Sequence, residues 1–283
     1  MRLLSRVAEV REAMALERQT NPATKVGFVP TLGALHAGHM SLVRAARSQC
    51  DFVVASIFVN PLQFGPTEDF SKYPRTLEED CRLLKEEGVD VVFTPTATEM
   101  YPAGAETTVD VGAIGDRLDG ASRPGHFRGV ATVVAKLFHI VAPDIAYFGQ
   151  KDAAQVAVLK RMVRDLNFPL RIAVCETVRE ADGLAMSSRN RYLSQNERRQ
   201  ALVLWRALSA AKDAVARGET LAAKVRQSLV DTIAAESGAR LDYAAVVNAD
   251  TLLPVEHVDG GERILVAVAA WIGTTRLIDN VVV

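Results

Sequence analysis

Short apolar runs alternate with segments of helical spacing over most of the first 177 residues, and this alternation constrains the fold most. The apolar runs are rich in β-branched residues and predict buried strands. They are KVGFVP (25–30), DFVVASIFV (51–59), VDVVFTP (89–95), DIAYFG (144–149) and LRIAVCETV (170–178). Strands that are apolar along their whole length are typical of a parallel sheet covered by helices on both faces. We therefore predict an α/β fold with a doubly wound, Rossmann-like parallel sheet over residues 1–177.

The segments between these runs predict helices, and the chain after residue 177 predicts a second domain. Apolar residues recur at helical spacing in five segments, which are 1–19, 39–49, 77–88, 130–141 and 152–166. Later in the chain, two predicted helices precede three predicted strands, at 195–216, 220–236, 241–247, 263–272 and 276–283. We expect residues 178–283 to form a smaller α+β C-terminal lid domain.

Composition argues against several classes of function. A net charge of −1 provides no global field that would recruit nucleic acid or an anionic membrane. The longest apolar run, which contains LVAVAAWI (265–272), is far shorter than the roughly 20 residues that span a bilayer. The three cysteines lack metal-ligand spacing and are expected to be reduced thiols. We therefore expect a cytoplasmic protein without a signal peptide and with neither a nucleic-acid nor a membrane partner.

The stretch PTLGALHAGH (30–39) places two histidines and two glycines between a predicted strand and a predicted helix. His36 and His39 fall near the first helical turn, where unpaired N–H groups and the helix dipole favour an anion. Gly33 and Gly38 leave room for a base or a phosphate to approach the backbone. Imidazole groups can donate hydrogen bonds to phosphate oxygens. The pattern favours a nucleotide site, and a turn with incidental histidines is the alternative.

The stretch AYFGQKDAAQ (146–155) also follows a predicted strand and precedes a helix. Lys151 can neutralise phosphate charge as a point cation. Asp152 either accepts hydrogen bonds from ribose hydroxyls or caps its helix. Gln155, one turn further along, either faces the same cleft or is simply exposed.

Two further loops carry polar side chains that suit ligand binding. In GLAMSSRNRYLS (183–194), Ser187, Ser188 and Arg189 suit a mobile clamp on a triphosphate, and a solvated linker is the alternative. In SIFVNPLQFGPTEDFSKYPRT (56–76), Asn60 and Gln63 can bind a small polar substrate without carrying charge. A purely structural loop is the alternative for this second stretch.

Five stretches, taken in order, resemble the pantothenate synthetase (pantoate–β-alanine ligase) family. They are PTLGALHAGHMSLVRAA, FVNPLQFGPTEDFSKYPRT, SRPGHFRGVATVVAKLF, YFGQKDAAQ and LAMSSRNRYLS. HAGH resembles the HIGH-type signature of class I nucleotidyltransferases and synthetases, and MSSR resembles their KMSKS loop. One departure is Leu32, where the family usually has Met. The two side chains have similar volumes, so we expect only a slight change in ligand binding.

The resemblance implies an ATP-dependent ligase that activates (R)-pantoate as pantoyl adenylate and transfers the pantoyl group to β-alanine. It assigns the proton-donor role to His39 and phosphate contacts to His36, Lys151 and Arg189. The implied ATP-binding residues are Pro30, Leu32, Gly33, Ala34, Leu35, His36, Ala37, Gly38, His39, Gly149, Gln150, Lys151, Asp152, Val178, Met186, Ser187, Ser188 and Arg189. Among these, Gly149 and Asp152 would contact ribose, and Val178 and Met186 would lie near the adenine. Asn60, Gln63 and Gln155 would bind pantoate and β-alanine.

The resemblance also implies a homodimer and Mg²⁺ that accompanies ATP. The ATP phosphates would hold most of the metal's coordination sphere, which leaves Asp80 open as a protein ligand. Three rival functions are a related nucleotidyltransferase, a tRNA-acting synthetase fragment and a non-catalytic nucleotide sensor. A ligase releases AMP only when β-alanine is present, whereas a nucleotidyltransferase stops at the nucleotidyl product. The balanced charge argues against the tRNA-acting fragment. A nucleotide sensor would bind ATP without releasing pyrophosphate.

Overall fold

The computed structural model describes residues 1–66, 68–259 and 261–283, which form two compact units. The first unit consists of residues 1–149 and 158–175, and the second consists of residues 150–157 and 176–283. The domain boundary predicted after residue 177 stays a prediction. Residues 150–157, which carry the last three residues of the GQKD stretch, belong with the second unit, whereas Gly149 belongs with the first.

The first unit is built on a six-stranded sheet whose described pairings are all parallel. Its strands are β1 (Arg2–Leu4), β2 (Val26–Thr31), β3 (Phe52–Ile57), β4 (Val91–Phe93), β5 (Ile145–Gly149) and β6 (Arg171–Cys175). Its helices are α1 (Val7–Thr20), α2 (Ala37–Gln49), α3 (Leu77–Glu86), α4 (Ala97–Met100), α5 (Asp119–Ser122) and α6 (His126–Val141). The next helix, α7 (Ala153–Asp165), contains residues of both units. The predicted doubly wound α/β sheet is confirmed.

The strand order β1-β4-β3-β2-β5-β6 reverses direction beside β2. The chain moves from β2 to its neighbour β3, whereas β5 pairs with β2 on the opposite side. Ligands of open α/β sheets bind beyond the carboxyl ends of the strands at such a reversal. Because β2 ends at Thr31, the PTLGALHAGH stretch leaves the sheet at this position.

Apolar side chains fill both faces of this sheet, as the continuous apolar strands predict. On one face, β2 and β3 pack against α2 and α3 through a buried cluster that includes Val29, Val53, Val43 and Leu84. On the other face, the ring of Phe28 meets the ring of Phe138 in α6 edge-on, with centroids 6.5 Å apart. Each strand therefore alternates its side chains between two covered faces.

The second unit is an α+β arrangement, as predicted for the C-terminal part. Its antiparallel sheet has the order β7-β8-β9, and α8 and α9 pack on it. The elements are α8 (Gln195–Ala216), α9 (Ala222–Ala234), β7 (Ala239–Asn248), β8 (Ile264–Ile272) and β9 (Thr275–Val282). A buried cluster joins Val266 and Val268 of β8 with Leu204 and Leu208 of α8 and Leu229 of α9.

The prediction of one helix over residues 1–19 is wrong at its start. Arg2–Leu4 form the edge strand β1, which pairs with β4, and α1 begins only at Val7. Three residues are too few to show a period of two, and their pairing partner lies far along the chain. In the described part of the chain, no helix combines the length and apolar character needed to cross a membrane.

Candidate active site

Both histidines of the HAGH segment cap the first turn of α2. His36 occupies the N-cap with an extended backbone, and its Nδ1 atom accepts the N–H of Gly38 at 3.1 Å. The Nδ1 atom of His39 accepts the N–H of His36 at 3.3 Å, and the two ring centroids lie 4.1 Å apart. A ring nitrogen that accepts a hydrogen bond carries no proton. Because both Nδ1 atoms accept, both rings carry their proton on Nε2. The end of α2 thus presents two Nε2–H donors in addition to its own dipole.

Asp80 lies beneath the loop that precedes these histidines. Its side chain is buried, and its oxygens accept the N–H groups of Ala34 at 2.9 Å and Leu35 at 2.8 Å. The hydroxyl of Thr76 donates to the same carboxylate at 3.1 Å. Gly33 and Ala34 have φ values of +84° and +51°, so this loop follows a left-handed path that Asp80 stabilises.

The predicted ATP-binding residues of this loop fall into two groups. Gly33, Ala34 and Leu35 are buried, and the N–H groups of the last two donate to Asp80. The remaining residues have accessible atoms, and they are Pro30, Leu32, His36, Ala37, Gly38 and His39. The buried residues therefore shape the loop, whereas the accessible ones can contact a ligand directly.

Hydrogen bonds fix how the amide groups of Asn60 and Gln63 are oriented in the turn that follows β3. Asn60 is fully buried, and its Nδ2 atom donates to the carbonyl oxygen of Gly129 at 3.1 Å. Its Oδ1 atom accepts the hydroxyl of Tyr101 at 2.8 Å and the N–H of Leu62 at 3.3 Å. The same Nδ2 atom donates to Oε1 of Gln63 at 3.1 Å. Asn60 therefore fixes the Oε1 end of the Gln63 side chain, and ligand binding by Gln63 stays a prediction.

In the second unit, Asn280 of β9 anchors the GQKD segment. The Nδ2 atom of Asn280 donates to the carbonyl oxygens of Gln150 at 3.0 Å and Lys151 at 2.8 Å. Its Oδ1 atom accepts Nε2 of Gln150 at 3.0 Å. Lys151 extends a half-buried ammonium group that lies 3.3 Å from Asp152. The predicted Gln155 lies half-buried at the start of α7.

Val178 and Met186, predicted to lie near the adenine, belong to one short hairpin. The N–H of Met186 donates to the carbonyl of Val178 at 2.9 Å, and Arg179 bridges Ala185 in antiparallel fashion. The turn contains Gly183 with a φ of +94°. A β-carbon at Gly183 would lie 2.2 Å from the indole of Trp205, so only glycine fits there.

The base of this hairpin is held by a buried ion pair. Arg179 contacts Asp279 with two hydrogen bonds of 2.6 and 2.9 Å, and its guanidinium stacks on Trp205 at 3.7 Å. Ser187 then caps a short 3-10 turn by accepting the N–H of Arg189 at 3.3 Å. Ser187, Ser188 and Arg189 are all half-buried. The predicted mobility of this segment stays a prediction.

Some residues that hold the PTLGALHAGH loop and the hairpin in place belong to no recognisable sequence motif. Asp80 stands in an ordinary acidic helix start, and Asn280 and Asp279 stand in an ordinary strand. The only sequence signal for them is a polar side chain at an apolar, buried position. Asp279 and Asn280 show that signal within RLIDNVVV.

The chain offers little to a dedicated metal ion. Within residues 1–66, 68–259 and 261–283, no group of three His, Cys, Asp or Glu side chains could hold one. Both oxygens of Asp80 accept hydrogen bonds from N–H and O–H groups, and the side chain is buried. These observations do not fit Asp80 as a metal ligand.

Comparison with known proteins connects these features to one family. The family described as pantoate-beta-alanine ligase matches residues 2–282. The chain belongs to the pantoate–β-alanine ligase family. The relative named pantothenate synthetase in Acidobacterium capsulatum is 61% identical, with 99% of this chain and 96% of the relative covered. The one in Moorella thermoacetica is 57% identical, with 100% and 98% covered. The resemblance predicted from the five stretches is therefore confirmed.

Solved structures of pantoate–β-alanine ligases have the same fold. The pantothenate synthetase of Thermus thermophilus is 50% identical, covers 99% of both chains and superposes with a TM-score of 0.92. The pantoate–β-alanine ligase of Francisella tularensis, described as complexed with beta-gamma ATP and β-alanine, is 33% identical. It covers 100% of this chain and 97% of its own length, with a TM-score of 0.76.

Proposed function

We propose that this ligase condenses (R)-pantoate with β-alanine and converts one ATP to AMP and pyrophosphate. Full-length relatives named pantothenate synthetase support this activity, and they confirm the predicted class of enzyme. The Francisella tularensis relative, described as complexed with beta-gamma ATP and β-alanine, supports ATP and β-alanine as ligands here. These relatives favour the ligase over the two rivals that form no amide bond, namely the nucleotidyltransferase and the nucleotide sensor.

The first chemical step activates the carboxylate of pantoate. A carboxylate oxygen attacks the α-phosphorus of ATP, and the bond between that phosphorus and the bridging oxygen of the β-phosphate breaks. Pyrophosphate leaves with the bonding electron pair, and pantoyl adenylate remains. Negative charge grows on phosphate oxygens, so catalysis requires positioned donors and cations rather than a covalent protein intermediate.

The second step forms the amide bond. The neutral amine of β-alanine attacks the acyl carbon of pantoyl adenylate, and the bond from that carbon to the AMP oxygen breaks. The amine loses a proton, and AMP leaves as a stable phosphate monoester. Adenylation is needed because an unactivated carboxylate would have to expel oxide.

The histidine-capped helix is the observation that carries the proposal. The Nε2–H groups of His36 and His39 are directed by backbone hydrogen bonds to their Nδ1 atoms. They suit the α-phosphate and the departing pyrophosphate, and we assign the proton-donor role to His39. Such donors work best when they are already oriented before charge develops.

The other predicted residues take roles that fit their chemistry. Lys151 and Arg189 neutralise phosphate charge, and Ser187 and Ser188 donate to phosphate oxygens. Gly149 and Asp152 contact the ribose, while Val178 and Met186 border the adenine. Gln63 donates its Nε2 hydrogens to pantoate, and Gln155 accepts from or donates to its hydroxyls. Gln150 and the accessible residues of the PTLGALHAGH loop complete the ATP contacts.

Mg²⁺ enters this proposal as part of the MgATP substrate. The ion prefers phosphate oxygens and water, and it neutralises the charge of the leaving pyrophosphate. The buried and hydrogen-bonded state of Asp80 supports a metal held by the nucleotide rather than by that residue. Two further proposals are a homodimer, which follows from the family resemblance alone, and a cytoplasmic location, which follows from the expected reduced state of the cysteines.

The decisive experiment supplies MgATP and (R)-pantoate, with and without β-alanine, and follows pyrophosphate and AMP separately. We expect one equivalent of pyrophosphate per active site without β-alanine, and continuous release of both products with it. Continuous pyrophosphate release that ignores β-alanine would instead identify a nucleotidyltransferase. ATP binding without any pyrophosphate would identify a nucleotide sensor.

A further inference from the structure

The backbone carbonyl of Gln63 is held by residues outside its own turn. Nδ1 of His126 lies 2.8 Å from this oxygen, and Nε2 of His126 lies 2.9 Å from Nη1 of Arg123. A guanidinium can only donate, so Nε2 of His126 accepts, and the ring proton resides on Nδ1. His126 therefore donates to the Gln63 carbonyl. Arg123 donates to the same oxygen through Nη2 at 3.3 Å.

Glu68 fixes the position of Arg123. Its two carboxylate oxygens accept Nε at 2.7 Å and Nη2 at 2.6 Å, which is the bidentate geometry of a strong pair. The two side chains are only 16% and 23% exposed, so solvent screens the pair weakly. Burial alone would raise the pKa of Glu68, but the hydrogen bonds and charge of Arg123 bring it below its ordinary value. Glu68 is thus ionised near neutral pH.

The first turns of α6 form the surface on which this segment rests. A β-carbon at Gly129 would lie 2.1 Å from the carbonyl oxygen of Leu62 and 2.7 Å from the nitrogen of Gln63. Backbone therefore touches backbone at this contact, and the carbonyl of Gly129 also accepts from Asn60. The turn at residues 60–63 therefore contacts α6 at both His126 and Gly129, and Arg123 donates to it from just before that helix.

We propose that Glu68, Arg123 and His126, here called the Gln63 brace, are positioning residues for the two acid substrates. The proposal rests on the function given above, in which Gln63 binds pantoate. Asn60 orients the side chain of Gln63, and the brace orients its backbone. The brace thereby explains the SRPGHFRGV stretch, whose Arg123 and His126 have no other role in the proposed reaction.

If the Gln63 brace has this role, its loss should raise the KM for pantoate and β-alanine but not the KM for ATP. Loss of the hydrogen bond from His126 lets the Gln63 carbonyl move and weakens pantoate and β-alanine binding. Hydrogen bonds of this kind contribute about 1 kcal/mol when neutral and more when charge assists, so we expect roughly a fivefold to tenfold rise in KM. The KM for ATP should change less than about twofold, because the helix-capping histidines are untouched.

Substitutions at one ring separate the hydrogen bond from simple packing. His126→Phe keeps an aromatic ring beside Phe127 but removes both nitrogens. His126→Asn places an amide N–H near the position of Nδ1 and can restore the donor to Gln63. His139→Phe is the matched control, since His139 is exposed near the other end of α6 and also stacks on a phenylalanine, Phe168.

Two measurements test the three variants. Steady-state kinetics give the KM for each of the three substrates, and hydrogen exchange follows the amides of residues 60–66 without any substrate. We expect His126→Phe to raise both acid-substrate KM values and to accelerate exchange, and His126→Asn to restore most of both. His139→Phe should match the wild type. Unchanged exchange and KM values in His126→Phe, or a parallel rise in the KM for ATP, would overturn the proposal.

The two readouts separate the brace from the reaction itself. If the wild type makes no pantothenate while His126→Phe still accelerates exchange at residues 60–66, the brace stands and the proposed function falls. If the wild type is active and neither readout changes, the function stands and the brace falls. Should His126→Phe fail to fold, Arg123→Lys decides, because lysine cannot reproduce the bidentate pair with Glu68.

Discussion

The Nδ1 atom of His39 accepts the backbone N–H of His36 at 3.3 Å, so this nitrogen stabilises the first turn of α2 and the ring proton lies on Nε2. The same division holds for His36, whose Nδ1 atom accepts the N–H of Gly38. In each ring, Nδ1 stabilises the first turn of α2, and Nε2 is the atom to which the proposed function assigns the ligand contact. Substitutions that keep only one of the two atoms can separate helix capping from catalysis.

Loss of His39 should lower kcat far more than it lowers stability. Removing one donor to developing charge typically costs about 2.7–4 kcal/mol in the barrier, so we expect His39→Ala to reduce kcat at least about a hundredfold. Loss of the cap should cost about 1 kcal/mol of unfolding free energy. Single-turnover formation of pantoyl adenylate measures the first effect, and a near-normal rate would remove His39 from the mechanism.

Two amide variants provide the matched comparison at His39. His39→Asn keeps an acceptor near Nδ1 but has no group at Nε2. His39→Gln reaches the position of Nε2 and, at the third position of α2, can still accept the N–H of His36. We therefore expect the Gln variant to be the more active of the two, and an Asn variant at least as active as the Gln variant would contradict the division of roles.

Asp80 should matter for the loop and not for the metal. Asp80→Asn places an amide N–H against the N–H of either Ala34 or Leu35, because each carboxylate oxygen already serves one of them. A buried donor left without its acceptor costs about 1–3 kcal/mol, and we expect that loss in unfolding free energy together with a higher KM for ATP. Urea unfolding and steady-state kinetics measure both.

The metal interpretation of Asp80 makes the opposite prediction. If Asp80 bound Mg²⁺, the Asn variant would require more Mg²⁺ for half-maximal rate at saturating ATP while its stability stayed close to wild type. We expect the Mg²⁺ dependence to be unchanged and the stability to fall. Glu78→Gln, an exposed acid on the same helix, is the control for a general effect of lost charge.

The sequence predicts much of this molecule because the relevant signals are local. The apolar runs place β2, β3 and β5 within three residues of their observed ends, and the spacing from Val130 to Val141 predicts most of α6. The histidines are predicted at a helix start because a strand precedes them and a helical pattern follows. Periodicity and chain order are sufficient for each of these conclusions.

The features that escape prediction depend on residues far apart in the chain. β1 forms because β4 offers a free edge, and Asp80 caps a loop that lies 45 positions away from it at Leu35. The tautomers of His36, His39 and His126 depend on which backbone atoms surround them in space. No local pattern encodes such partners, so a single sequence leaves them open.

Asn280 should control ATP binding through the GQKD backbone. Asn280→Asp replaces the two donated hydrogen bonds with a carboxylate facing the carbonyls of Gln150 and Lys151. We expect at least about a tenfold rise in the KM for ATP, since both hydrogen bonds are lost and the carboxylate faces the negative ends of two carbonyl dipoles. Asn280→Ala should have a smaller effect. An Asp variant with a normal KM for ATP would show that the anchor has no part in nucleotide binding.

The MSSR segment should become more ordered when ATP binds. Its four predicted phosphate and adenine contacts, Met186, Ser187, Ser188 and Arg189, require a defined backbone in the bound state. Hydrogen exchange over residues 183–192 should slow on addition of a non-hydrolysable ATP analogue, whereas exchange in α9 should not change. Equal exchange with and without the nucleotide would contradict the clamp.

His126 should make the fold sensitive to acid in a defined window. Burial lowers the pKa of His126 from the ordinary 6.5 to about 4, and the charge of Arg123 acts in the same direction. Between these values the unfolded chain binds a proton that the folded chain does not, so stability falls as the pH falls from 6.5 to 4. His126 lowers the free energy of unfolding by at most roughly 3 kcal/mol, and this loss is complete once the pH is below the pKa of the folded state.

Comparison of variants isolates this contribution from the other titrating groups. The hydrogen bond to the Gln63 carbonyl and the charges of Asp119 and Glu68 favour the protonated ring, but they do so too weakly to offset burial. His126→Asn removes the titrating ring, so its unfolding free energy should fall less steeply between pH 6.5 and 4 than that of the wild type. His139→Asn should retain the wild-type slope. Equal slopes in all three proteins, measured by urea unfolding, would show that the folded chain protonates His126 as readily as the unfolded chain does.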